Sequence, residues 1–270
     1  MSELVRATLQ LYRQTLLDTA SSLTRNWIII VTVMGLAMLM FLITGIAMSL
    51  GMLGGFLMGA ANAFAVGALL GLMEQAVMSP RRITWGDLPY AAGQYFWDVI
   101  TIGFIVWVPL QFLEMGMQAN PYGPALVSGV LFLLFLLLNP IPEIIYQARL
   151  GSPLDSLKES YEFVLENWIE WFLPLAIILA PFGLSFFFGI SSQGGRLIGL
   201  DFLQLLQLPF AILSQLFQFL GFSSSLATVT VLLLTPIGVV AMMLFRGFLF
   251  KALHGSSRRQ RQFRARSLGS

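Results

Sequence analysis

The chain has 270 residues, of which 57% are hydrophobic and only 10% charged, with a formal net charge of +2 and a mean hydropathy of +0.81. Soluble domains average about 25% charged residues, so this composition points to a bilayer rather than water as the surrounding medium. The absence of cysteine excludes disulfides, thiolate nucleophiles and cysteine-held metals, and the lone His254 excludes a histidine cluster within one chain.

Apolar runs at 27–49, 53–76, 98–118, 124–147, 169–190 and 223–250 each approach the ~20 residues that cross a hydrocarbon core. They predict an all-α, polytopic integral membrane protein with six transmembrane helices. Trp27, Trp97 and Trp168 each end a half-polar helical stretch and open an apolar run, and they stand 70 and 71 residues apart. A fixed period of this kind predicts tandem units, each an amphipathic helix followed by a membrane hairpin. The units run about 1–79, 80–150 and 151–256 within one membrane domain at 1–256, followed by a basic cytoplasmic tail at 257–270. The three hairpins are expected to superpose about a pseudo-three-fold axis. The first apolar run follows a charged amphipathic stretch and precedes further spans, so it does not read as a cleaved signal peptide.

In the first unit Val5, Leu9, Tyr12, Leu16, Ala20 and Leu23 recur at helical spacing against Arg6, Gln10, Arg13, Asp18 and Arg25. This predicts a helix lying flat at the interface, with Trp27 at headgroup depth. The second span carries Gly55, Gly59, Ala63, Gly67 and Gly71 at four-residue spacing, a face that lets another helix approach closely. An intramolecular contact is favoured over an oligomer interface because neighbouring spans are already tethered. Asn62 sits beside this face and is expected to hydrogen-bond across it.

The second unit starts more weakly: Thr84 and Asp87 form a cap, but Gly86 and Pro89 disturb the first turn. In its second span Asn139-Pro140-Ile141-Pro142 breaks the helix next to Glu143, because each proline removes an N–H donor. In the third unit Ser152, Pro153 and Asp155 form the helix start. Leu154, Leu157, Tyr161, Val164 and Trp168 then make an apolar stripe opposite Asp155, Lys158, Glu159, Glu162 and Glu166. The stretch from Ser152 to Pro181, SPLDSLKESYEFVLENWIEWFLPLAIILAP, resembles bacterial polytopic proteins of mostly unknown function. Among them are membrane domains attached to some glycerophosphodiester phosphodiesterases, where a Ser-Pro-Leu cap and an amphipathic helix lead through a Trp into a span. The resemblance implies a membrane module and no phosphodiesterase activity, since the catalytic domain has no counterpart here.

Residues 201–221 are apolar but carry an uncharged polar stripe that includes Gln204, Gln207, Gln215 and Gln218. They are read as an interfacial or re-entrant helix on the outer side, either afloat in the headgroups or, through Phe210, Phe217, Phe219 and Phe222, a docking surface. Arg and Lys before the first span, after the second and fourth, and from Arg246 onward fall on one side, with Arg196 alone opposite. Both termini are therefore expected in the cytoplasm, with the protein multi-pass in a bacterial inner (plasma) membrane. The Glu159-Glu162-Glu166 face is either solvated or covered by the basic tail, from Arg258 to Arg266, or by a partner.

Ionisable groups within spans are candidates for function. Glu74, Asp98 and Glu170 lie near span ends and are expected to reach interfacial water. Glu143, beside the broken helix, is either part of a transport site or a kink carboxylate reaching water. Aligning Gln75-Ala76, Gln147-Ala148 and Lys251-Ala252 sets Arg246 near the depth of Glu143, which predicts that Arg246 pairs with Glu143 or Glu74. No catalytic triad, phosphate loop or metal-ligand set is present in the sequence, so neither enzymatic activity nor a cofactor is expected, and no nucleic acid. The expected partners are membrane lipids and other membrane protein subunits, or further copies of the chain. Two functions compete: a non-catalytic subunit or scaffold of a larger membrane complex, or a transporter or permease component for a small molecule or lipid. Hairpins that all enter from one side do not form the inverted pair common in transporters, which disfavours the second.

Overall fold

A computed structural model of the chain describes residues 2–192, 214 and 217–254, with side chains over 5–177, 214 and 217–254. The elements are α1 (Ser2–Arg25), α2 (Ile28–Ser49), α3 (Met52–Met78), a 3-10 turn (Trp85–Asp87), α4 (Leu88–Ala91), α5 (Phe96–Met117), α6 (Gly123–Leu137), α7 (Ile141–Gln147), α8 (Pro153–Ser192) and α9 (Ser224–His254). All regular structure among the described residues is helical. Five helices there are long and apolar enough to cross a membrane: α2, α3, α5, α6 with α7, and α9. The apolar run at 169–190 continues α8, whose side chains are described only as far as Ile177.

Contacts among the described residues divide the chain into two compact units. One lies within Met1–Ile102, Pro140–Glu159 and Pro236–Ser270, the other within Gly103–Asn139 and Ser160–Thr235.

In the first unit α2 turns into α3 at Leu50-Gly51, where Gly51 has φ +55°, a conformation that favours glycine. Gly54 then passes so close to α2 that a Cβ there would collide with the Ala47 carbonyl oxygen. After α3, the Thr84–Asp87 cap forms: the Thr84 amide and hydroxyl donate to Asp87 Oδ2 at 2.8 and 2.7 Å, and Arg81 pairs with the same carboxylate. The Thr84 hydrogen bonds, then Arg81, hold Asp87 below its ordinary carboxylate range. With Gly86 and Pro89 following, helix persists only to Ala91. The buried side chains gather on α3, α7 and α9, among them Leu70, Met73, Ile144, Tyr146, Leu244 and Phe250. At the other end of the α2–α3 hairpin, Met48, Met52 and Phe56 are 81%, 84% and 69% exposed. Apolar surface so placed needs lipid or protein over it.

The second unit holds α6 and most of α8. The proline break falls where the sequence set it, with turns at Leu138–Pro140, and Asn139 Oδ1 accepts the indole N–H of Trp171 at 2.9 Å. The Trp171 ring packs edge-on against Phe163, centroids 5.3 Å apart.

On both amphipathic helices most of the apolar stripe expected at the interface is exposed, and small polar residues pack inward. On α1 the buried residues are Thr15, Thr19, Ser22 and Asn26, whereas Val5, Leu9 and Leu16 are exposed. On α8 they include Ser156, Ser160, Phe163 and Asn167 together with Val164 of the predicted stripe, whereas Leu154, Tyr161 and Trp168 are exposed. Small side chains let helices approach closely, and the inward residues are the small ones. Ser160 Oγ thus reaches the Leu137 carbonyl at 2.7 Å and Ser22 Oγ the Ala76 carbonyl at 3.3 Å. Glu170, expected to reach water, is only 6% exposed because it continues this inner face one turn beyond Asn167.

Candidate functional site

Two features of the first unit concentrate polar groups where a membrane protein places few. The first is a junction joining α3, α7 and α9. Arg246 on α9 donates through Nε and a terminal nitrogen to the two oxygens of Glu143 on α7, both at 2.8 Å. Of the two carboxylates weighed from sequence, Glu143 is the partner. Its side chain is 4% exposed against 27% for Arg246, so the pair is held away from bulk solvent. Two parallel charge-assisted bonds fix orientation as well as charge.

Glu74 takes different partners. Its carboxylate accepts from the Tyr95 hydroxyl at 2.6 Å and the Gln94 amide at 2.9 Å, and it pairs with Arg149 just beyond α7. Burial, and then the charge of Asp98, pushes the Tyr95 hydroxyl up to about 12, so it stays a donor at neutral pH. Gln147 at the end of α7 donates to the Gly247 carbonyl at 2.9 Å, and Lys251 on α9 donates to the Val77 carbonyl at 3.1 Å. Gly247 sits where the helices meet: a Cβ there would stand 2.5 Å from the Tyr146 hydroxyl and 2.8 Å from Val77 Cγ2. The three helix ends are thus joined pairwise, and the aligned positions Gln147 and Lys251 supply two of the links. Nearby, His254 Nε2 lies 2.9 Å from Glu159, and its ring stacks on Phe250. Of the acidic face, Glu159 therefore meets the end of α9, while the arginines from Arg258 to Arg266 lie outside the described residues. Glu162 and Glu166 are exposed.

The second feature is the glycine stripe of α3. A strict four-residue spacing overshoots a 3.6-residue turn by about 40° at each step, so the stripe rotates around its helix. Gly67 and Gly71 therefore face inward, where added Cβ atoms would stand 3.0 Å from the Phe96 amide nitrogen and the Ala91 carbonyl oxygen. Ala63 is buried at 5%, whereas Gly55 and Gly59 have nothing within 4 Å. Asn62, one and two turns along the helix from Gly59 and Gly55, shares their open face. It is exposed and makes no side-chain hydrogen bond among the described residues, contrary to the expected cross-helix bond. A single residue step turns it about 100° away from Ala63, off the packed side.

The interface tryptophans are all exposed, Trp27 at 44%, Trp97 at 72% and Trp168 at 57%, each at a helix start or kink. Trp27 also packs edge-on against Trp85. Of the phenylalanines considered for docking, Phe217 and Phe222 close a helix end. The Phe222 amide bonds the Phe217 carbonyl, Gly221 adopts φ +90°, and the two rings meet at 5.4 Å. Phe219 remains 88% exposed, and Phe210 lies outside the described residues, as does most of 201–221. Sequence reasoning missed Asn26, whose Oδ1 accepts the Ile83 amide at 3.0 Å and whose Nδ2 donates to Ser22. The signal was present as small polar residues at four, three and four positions. The chain matches no protein-family model, no curated protein and no solved structure.

Proposed function

We propose that this chain is a non-catalytic, multi-pass subunit or scaffold of a larger membrane complex, placed in a bacterial inner membrane with both termini in the cytoplasm. The Gly55-Gly59-Asn62 face of α3 carries this reading. An amide left against hydrocarbon costs several kcal/mol, on the order of an unmade buried hydrogen bond. Small residues beside it allow a second helix to approach and supply the missing bond. A partner helix, from another subunit or another copy, is the arrangement that relieves this cost.

The six-span, three-unit plan belongs to the same proposal, with the second half of α8 as the remaining span. Its support is the buried set of α1 recurring on α8 at a constant offset of 141, from Thr15 to Ser156 and from Asn26 to Asn167. The resemblance of the segment from Ser152 to Pro181 to bacterial polytopic membrane proteins of mostly unknown function is compatible with this role. A permease component is the second reading, favoured by the broken α6–α7 helix beside Glu143. Against it, Glu143 is already occupied by Arg246, which makes that carboxylate a brace between helices. Copurification after mild detergent extraction separates the readings. Stoichiometric protein partners that are lost on Asn62→Leu support the subunit, and a cognate ATPase retained by that variant supports the permease.

A further inference from the structure

An open cleft of about 620 Å³ lies in the first unit between α1, the end of α3 and α9, and of the junction above it shares only Lys251 and Val77. Its walls carry Arg25, Lys251, Asp18, Gln14, Ser21 and Ser79. Arg25 Nε is buried and has no hydrogen-bond partner, and Arg25 forms no ion pair among the described residues. Lys251 has one hydrogen bond, to the Val77 carbonyl, which leaves two of its three donors for a ligand. Asp18 is the one carboxylate on these walls, and it stands two turns before Arg25, about 10 Å along the axis, too far to neutralise it directly.

We propose that this cleft binds a phosphate ester, its phosphoryl oxygens meeting Arg25 from α1 and Lys251 from α9. A guanidinium with unused donors opposite an ammonium matches an oxyanion with several acceptor oxygens, and the serine hydroxyls add neutral donors. The depth fits a phospholipid headgroup: Arg25 precedes the exposed Trp27 by two residues, and interfacial tryptophans mark headgroup level. The same chemistry would accept a soluble phosphate ester entering from the aqueous side. This inference rests on the cleft alone and is independent of whether α3 meets a partner.

The test uses the full chain in a neutral detergent and calorimetric titration with dihexanoyl phosphatidylglycerol, glycerol 3-phosphate and, as a phosphate-free control, dihexanoyl glycerol. Binding of a phosphate probe above the control is expected. Arg25→Gln and Lys251→Gln should each weaken it about tenfold, the consequence of one lost charge-assisted bond. Asp18→Asn should tighten it. Gln14→Trp, at an exposed helix position, should block the cleft while retaining both cations, which guards against misfolding of the charge variants. Tighter binding of the lipid identifies a headgroup site, and equal binding of glycerol 3-phosphate identifies a soluble ligand. Binding no better than the control, or unchanged by Arg25→Gln, Lys251→Gln and Gln14→Trp, overturns the proposal.

Discussion

Replacing Arg246 by Met removes two 2.8 Å hydrogen bonds and leaves the Glu143 carboxylate unpaired at a site where the residue is 3% exposed. Breaking a buried pair from one side costs about 3–5 kcal/mol, because the remaining charge has lost both water and partner. For a chain of this size each kcal/mol moves the melting temperature by about 2–4 °C, so Arg246→Met should lower it by roughly 10 °C. Replacing both residues with Met gives up the attraction but also removes the desolvation cost, and such exchanges are often neutral or stabilising by about 1–4 kcal/mol. The double variant should therefore melt at or above the parent. Tryptophan fluorescence during thermal unfolding in a mild detergent reads both shifts. A double variant that melts as low as Arg246→Met would refute the reasoning, since the loss would then come from packing and not from a stranded charge.

Gly247→Ala forces a methyl against Tyr146 and Val77 and should cost about 1–3 kcal/mol, with part of it recovered by Tyr146→Phe; an unchanged melting temperature counts against the close junction. Asn26→Ala strands the buried Ile83 amide and should cost about 1–3 kcal/mol, read as faster hydrogen exchange through residues 79–84, whereas the exposed Gln10→Ala should change nothing there. Asp87 is held below its ordinary value of 3.8, so its cap contributes fully above that pH and is lost as pH falls through the lower folded value. Protection of the Thr84 amide should hold down to about pH 4 and drop across the more acidic range below it, and Asp87→Asn should abolish that acid dependence. Equal protection across that range would show that the carboxylate does not hold the turn.

Five of the six expected spans were legible as long apolar helices, because length and apolarity alone decide what can cross hydrocarbon. The break at Asn139–Pro142 was legible for a local reason, the missing proline donors, and the Arg246–Glu143 pair because two charges at one depth leave few alternatives. The inward faces of α1 and α8 were not. Periodicity marks the apolar stripe that faces the interface, but not which residues of the opposite face pack inward. Here the leucines point out and Thr15, Thr19, Ser156 and Ser160 point in. The glycine stripe misled in a related way: its spacing was read as one face, though over Gly55 to Gly71 it rotates about 160° around the helix. Asn26 bonds to an amide 57 residues away, a contact that no local pattern encodes.

The central claim is that the open face of α3 meets another protein helix within the membrane. A photoreactive amino acid placed singly at residues 55, 59 and 62, and at the opposite positions 57 and 64, tests it in intact membranes. The account predicts a crosslinked product heavier than the 29.9 kDa chain from 55, 59 and 62, and little or none from 57 and 64. No product at any of the five positions, or equal yields around the helix, would contradict it.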